Sequence, residues 1–273
     1  MLIRDACEMV CLSDAGCVRT LNEDVARVHP DLGLLLVADG MGGHNAGALA
    51  ARIAADAVDE TLRQGLSGCP PGLDGAGELL RQSVLRAGRR IRRSAAAQRH
   101  QQGMGATLAC LLLYEDHAWL AHVGDTRIYR LREHRLQLLT RDQSPNQQAH
   151  SAGLLSAGQL AASHNRHLVT RALGLGGETA VQLQCLRVAP GDVFLLCSDG
   201  LNDMVDGRDI ELLLESLAQR LPMAAAQLVM VARDCGGHDN VTVALVRIEA
   251  SFARAGRSLL ARLFDWLRGR SAA

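Results

Sequence analysis

The chain has 273 residues, 48% of them apolar and 21% charged, and its 29 Lys and Arg residues balance 29 Asp and Glu to a formal net charge of zero. That is enough apolar material for one large core or two small ones, and the balanced charge gives no general attraction to nucleic acid or to an anionic membrane. All 29 of those cations are arginine, which excludes a phosphate-loop lysine and a kinase-type catalytic lysine.

The eight cysteines are scattered and form no C-x-x-C pair. Several sit inside apolar runs, Cys110 and Cys197 among them, so reduced, buried thiols in a cytoplasmic protein are expected rather than disulfides or a zinc site. Residues 1–20 carry Arg4, Asp5 and Glu8 without an apolar segment, so no signal peptide is expected. No apolar run reaches the length of about 18 residues that a membrane span needs.

Short strands are expected at 7–12 and 25–29, around a polar connection from Ser13 to Asp24. The run Leu34-Leu35-Leu36-Val37-Ala38 then ends at Asp39, and a glycine-rich turn follows, so 33–39 reads as a buried strand that surfaces at Asp39. There Gly40 lets the backbone approach whatever Asp39 holds. An aspartate serving only the turn, or capping the next helix, is the plainer alternative. Helical spacing covers about 44–66 and 76–98, separated by a Gly- and Pro-rich loop at 65–72. Strands follow at 106–114, 117–124, 127–132 and 135–140, with links short enough for antiparallel hairpins, Gly124-Asp125-Thr126 included. The polar stretch 142–168 reads as partly helical. Strands return at 181–188 and 193–198, helices at 209–220 and 222–234, and a last strand at 240–248. This order fits a layered α+β sandwich in one domain ending near residue 249. Beyond it, 250–273 forms an Arg-rich tail in which Leu259, Leu260, Leu263, Phe264, Trp266 and Leu267 interleave with five arginines. Such an amphipathic helix lies on a membrane, docks to a partner or packs on its own domain.

Asp39 has company. Asp125, Asp199 and Asp239 also stand at the ends of apolar runs, and Asp199-Gly200 repeats the Asp39-Gly40 pattern. Four acids at buried strand ends repel one another unless a cation neutralises them, and an all-oxygen donor set suits Mg²⁺ or Mn²⁺. Two such ions about 3.5–4 Å apart share a bridging carboxylate and activate a water. Arg19 adds a planar fork suited to a phosphoryl group. Together these residues point to metal-assisted phosphoester hydrolysis. Dinucleotide binding is set aside, because Gly40-x-Gly42 is followed three residues later by Asn45 rather than Gly or Ala.

The blocks 13–24 (ending Asn22-Glu23-Asp24), Asp39-Gly40-Met41-Gly42-Gly43-His44 and Gly103-Met104-Gly105-Ala106-Thr107 stand in order. They continue with Val123-Gly124-Asp125-Thr126-Arg127, Leu139-Thr140-Arg141-Asp142-Gln143-Ser144, Thr170-Arg171-Ala172-Leu173-Gly174, Cys197-Ser198-Asp199-Gly200-Leu201 and His238-Asp239-Asn240-Val241-Thr242. As an ordered set over residues 13–248 they resemble the metal-dependent serine/threonine protein phosphatases of the PPM (type 2C) family, in their compact bacterial form. The resemblance implies a four-layer α-β-β-α sandwich with two central, mainly antiparallel sheets and the metals at one end. It implies that Asp39 bridges two Mg²⁺ or Mn²⁺ ions, that the Gly40 carbonyl ligates one, and that Asp199 and Asp239 hold the other. Asp125 supports a third, weaker site with Asp199. Glu23, Asp24 and Asn240 stand behind these ligands, Arg19 clamps the substrate phosphate, and 142–168 is a flap that shapes access.

In the mechanism so implied, a metal-bridging hydroxide attacks phosphorus in line, with no phosphoenzyme, so the cysteines and serines need no chemical role. Met41 replaces the histidine that follows the Asp-Gly pair in eukaryotic relatives, which leaves the general acid unassigned; His44 reads as a turn residue. Ala106 and Ala48 depart from the family's usual polar residues without touching an expected ligand. The implied partners are phosphorylated proteins and an opposing bacterial Ser/Thr kinase, in the cytoplasm. Two rival readings stand beside this one: a non-catalytic phosphoprotein-binding module of the same fold, and a phosphatase dedicated to an anti-sigma antagonist.

Overall fold

The computed structural model describes residues 2–43, 46–67, 71–156, 168–177 and 179–253. Its strands carry an apolar pattern of period two with both sides filled, and this decides the architecture. In β3 (Leu34–Met41), Leu34, Leu36 and Ala38 enter one core while Leu35 and Val37 enter another. β4 (Gly105–Tyr114) does the same with Leu108, Cys110 and Leu112 against Ala109, Leu111 and Leu113, and all ten of its residues are buried. A strand covered on both faces must lie between two layers.

β3 and β4 belong to a five-stranded sheet ordered β2-β3-β4-β5-β8, with β2 (Asp24–His29), β5 (His117–Val123) and β8 (Gln182–Arg187). The second sheet is ordered β1-β10-β9-β6-β7, from β1 (Cys7–Asp14), β10 (Val241–Ile248), β9 (Val193–Cys197), β6 (Arg127–Arg132) and β7 (Arg135–Leu138). Every pairing between these strands is antiparallel. Phe194, Leu196, Ala244 and Val246 meet Leu35, Val37 and Leu111 in the core between the sheets.

The outer faces are covered by helices. α1 (Ala46–Leu66) and α2 (Leu73–Ala97) lie on the first sheet, where α1 presents Ala50, Ala54, Ala57 and Val58 at helical spacing. Such small residues let a helix approach the sheet closely while keeping high helix propensity. α3 (Pro145–Ser151) starts the flap, capped by Ser144, whose hydroxyl accepts from the Gln147 N–H at 3.2 Å. After α4 (Asp199–Asn202), α5 (Gly207–Leu217) and α6 (Leu221–Asp234) cover the second sheet through Ile210, Leu214, Leu221 and Leu228. The order is thus α-β-β-α, as expected.

Three expectations are corrected, and one element is new. The link 124–126 is no hairpin: β5 and β6 belong to different sheets, so this segment crosses the sandwich and carries Asp125 between the layers. β3 does not stop at Asp39 but stays paired to Met41. The short helix α4 directly after β9 was not expected. The described thiols are free, but Cys17 and Cys235 are exposed rather than buried. His44, Asn45, Cys69, residues 157–167 of the flap and the tail from 254 lie outside the described residues.

Candidate active site

The antiparallel order brings the start of β2, the end of β3, the end of β5, the end of β9 and the start of β10 to one end of the sandwich. Each delivers an acid there. Asp24 opens β2 and stands directly across the ladder from Asp39 of β3, whose other neighbour is Thr107. Facing like charges destabilise a strand pair, so this register has a cost that packing alone does not repay. Asp125 follows β5, Asp199 opens α4 after β9, and Asp239 precedes β10.

The electrostatics show that these acids share one space. Burial raises the Asp39 carboxyl well above the usual carboxylate range, and Asp24, Asp199, Asp125 and Asp239 push it further. Burial likewise raises Asp125 well above that range, assisted by Asp199 and Asp142. Asp24 is pushed up to about 7 by burial, against hydrogen bonds from the Thr242 and Ser198 hydroxyls that favour its charged form. Its Oδ2 is buried without a hydrogen-bond partner. Among the described residues no three His, Cys, Asp or Glu side chains form a ready-made metal cage. What they do form is an acceptor-only set, with Asp24 and Asp125 buried and Asp39, Asp199 and Asp239 half-buried, whose shared deficit is positive charge. An orphaned carboxylate oxygen beside several mutually repelling acids fits a hard divalent cation.

Glycines make the convergence possible. A Cβ on Gly40 would lie 2.1 Å from the Gly47 carbonyl oxygen and 2.7 Å from that of Glu23, so only glycine lets β3 end against the first turn of α1. The close approach that Gly40 permits is therefore to the backbone of 23 and 47. A Cβ on Gly200 would lie 2.1 Å from the Asn240 carbonyl oxygen, so Asp199 and Asp239 are drawn together by the same device. Glu23 directs Oε1 at the Ala48 N–H, 3.3 Å away, near the α1 N-terminus, where the helix dipole favours a carboxylate.

Asn240 fastens the loop that carries Arg19. Its Oδ1 accepts from the Glu23 N–H at 2.9 Å, and its Nδ2 donates to the carbonyls of Ala15 at 3.0 Å and Leu21 at 2.8 Å. Arg19 Nη2 donates to Asp239 Oδ2 at 2.8 Å, and that bond is the first cause that raises the Arg19 pKa. Arg19 therefore sits at the rim of the acid set with its fork turned towards it. On the far side, Arg127 grips Asp142 through Nε and Nη2 at 2.6–3.2 Å and fixes the root of the flap. Gln143 completes that root: its carbonyl accepts from the Thr170 N–H at 2.7 Å, and its Oε1 accepts from the Gly124 N–H at 3.0 Å.

All the expected residues, Arg19, Glu23, Asp24, Asp39, Gly40, Asp125, Asp199, Asp239 and Asn240, thus belong to this end of the fold. Sequence reasoning missed the hydroxyl network behind Asp24. Asn22 Nδ2 donates to Ser13 Oγ at 2.8 Å, Ser13 Oγ lies 2.6 Å from Thr242 Oγ1, and the Thr242 N–H donates to Ser198 Oγ at 3.0 Å. The only available signal was that Ser198 and Thr242 are polar residues in otherwise apolar runs.

Comparison with known proteins places this arrangement. The family model described as Protein phosphatase 2C matches residues 19–232. The serine/threonine phosphatase stp of Listeria monocytogenes is 32% identical over 251 residues, which cover 90% of this chain and 96% of that protein. The crystal structure of the Mycobacterium tuberculosis serine/threonine phosphatase PstP/Ppp superposes with a TM-score of 0.80 at 31% identity, covering 89% of this chain and 99% of that one. A structure of the PstP catalytic domain in complex with two manganese ions gives the same TM-score at 30% identity, with the same coverage of both chains. The chain belongs to the protein phosphatase 2C family.

Proposed function

We infer that this protein is a Mg²⁺- or Mn²⁺-dependent protein-serine/threonine phosphatase. The observation that carries the reading is the convergence of Asp24, Asp39, Asp125, Asp199 and Asp239 at one end of the sandwich, where Asp24, Asp39 and Asp125 are raised by burial and by their acidic neighbours, with Arg19 at the rim. Asp39, the Gly40 carbonyl, Asp199 and Asp239 would hold two ions, and Asp125 with Asp199 a third. When bound, such ions would supply the missing positive charge, withdraw electrons from the phosphoryl group and acidify the attacking water.

The chain's own residues do the rest. Arg19 leaves Asp239 to take two phosphoryl oxygens and orients phosphorus towards the acid set. Asn240 and the Ser13–Asn22 bond keep the Arg19 loop in place, so little order is lost when substrate arrives. Asp24, supported by Thr242 and Ser198, stands behind Asp39 across the β2–β3 ladder. Cys110 and Cys197 take no part: burial raises both far from thiolate character.

The substrates are phosphoserine and phosphothreonine proteins, the products of a protein kinase that this enzyme opposes. Residues 1–249 are the catalytic unit, 142–168 controls access, and the Arg-rich tail 250–273 is a docking element for a partner or a membrane surface. Among the described residues no helix is long and apolar enough to cross a membrane, and the free thiols fit the reducing cytoplasm. A non-catalytic module of this fold would have no use for the complete set of acids. Turnover of p-nitrophenyl phosphate that needs added Mn²⁺ or Mg²⁺ and disappears in Asp39→Asn tests the reading; metal-independent turnover contradicts it.

A further inference from the structure

The Arg19 loop exposes two large apolar side chains, Val18 at 60% and Leu21 at 51% of their full accessibility. Isolated apolar residues at a surface are ordinary, but these two bracket the phosphate clamp, and their loop is not free to fold them away. The Cys17 N–H donates to the Gly237 carbonyl at 2.7 Å, and Asn240 Nδ2 holds the carbonyls of Ala15 and Leu21. Gly16 is so tightly seated that a Cβ there would lie 2.2 Å from the Asp239 carbonyl oxygen. A backbone pinned before and after Val18 and Leu21 displays them in fixed positions.

Resting on the phosphatase reading above, we propose that Val18 and Leu21 form an apolar lip that binds an apolar side chain next to the phosphorylated serine or threonine. The occupant follows from covalent continuity. A phosphoryl group held by Arg19 is attached to a peptide whose neighbouring residues lie about 3.3–3.6 Å per residue away. Val18 and Leu21 are one and two residues from Arg19, so a peptide whose phosphoryl group is held by that side chain brings its neighbouring residues within reach of them. Leu, Ile, Val or Phe there covers the lip; Asp or Glu there meets apolar surface and is disfavoured.

The other side of the acid set is chemically different. The cavity of about 390 Å³ at the flap root is lined by Arg141, Asp142, Gln147 and His150 besides Leu138.

The test compares three phosphothreonine peptides, with leucine, serine or aspartate flanking the phosphoresidue, on the Mn²⁺-loaded full chain and on the Val18→Ser/Leu21→Ser variant. The wild type should favour the leucine peptide by roughly tenfold in kcat/KM, with the difference in KM. The double variant should lose that preference and keep its turnover of p-nitrophenyl phosphate, and Leu21→Met alone should retain the preference. Equal kcat/KM for all three peptides in a wild type that turns them over would overturn the lip alone, as would a preference that survives in the double variant. A folded, Mn²⁺-loaded wild type inactive on peptides and aryl phosphate alike would overturn the phosphatase reading, and the lip with it.

Discussion

Arg19 and Asp239 meet across the rim of the acid set, guanidinium Nη2 to carboxylate Oδ2 at 2.8 Å. Both side chains keep substantial exposure, 55% and 34%, so the pair adds no more than about 1 kcal/mol to stability. Its importance is positional, since it aims a fork that can hold a phosphoryl group at the acids that would hold the metals.

Arg19→Ala should therefore leave Tm within about 2–4 °C of wild type and raise KM for a phosphopeptide by roughly 10- to 100-fold. Steady-state kinetics on the folded variant decide this. Unchanged KM and kcat would remove Arg19 from the site.

Asp39→Asn takes one charge from the centre of the repelling set. Activity should fall by roughly a hundredfold or more, while the metal-free protein should be at least as stable as wild type near neutral pH, because a carboxyl that is costly to ionise beside Asp24 and Asp199 is gone. Thermal melts in EDTA and initial rates in Mn²⁺ measure both. Near wild-type turnover by a folded variant would refute the assignment of Asp39.

Stability without metal should depend on pH in a defined direction. Asp24 is raised to about 7 by burial, and Asp39 and Asp125 are raised in the same sense. The folded protein then binds protons more tightly than the unfolded chain. The stabilisation is fully present below the unfolded value of about 4 and is lost as pH rises through about 7. Tm in EDTA should fall across that window, and the gain in Tm on adding Mn²⁺ should widen across it. A Tm in EDTA that rises across the window would contradict the raised values.

Asn240→Ala removes the acceptor for the Glu23 N–H and the donor for the Ala15 and Leu21 carbonyls. The loss should cost about 2–4 kcal/mol and raise KM in parallel with Arg19→Ala, because the clamp loop is unfastened. Asn240→Asp keeps the acceptor but faces two carbonyls with a carboxylate, so it should be no better. A normal KM in either variant would show that the loop holds itself.

Much of this was legible in the sequence for one physical reason. Runs such as Leu34–Ala38 and Val193–Cys197 are apolar on both faces, and the carboxylates at their ends had no reason to be there unless something bound them. The layers, the order of elements and the site acids follow from that. The crossing at 124–126 was not legible, because a short Gly-Asp-Thr link has the same composition whether it turns back in one sheet or passes to another. The packing of Gly40 against the backbone of Gly47 was not legible either, because it is a contact between residues in different elements. Exposure of Cys17 and Cys235 escaped notice because it depends on loop packing, to which periodicity is blind. The support behind Asp24 comes from Ser13 and Thr242 on two strands and from Ser198 just past the end of a third, a relation that only the β1-β10-β9 order creates.

The most direct test of the central claim is hydrolysis of a phosphothreonine peptide by the purified chain, first stripped with EDTA and then supplied with Mn²⁺ or Mg²⁺. The account predicts no turnover after stripping and recovery on adding either ion. A folded protein that stays inactive with every divalent ion supplied, or that is equally active in EDTA, would contradict it.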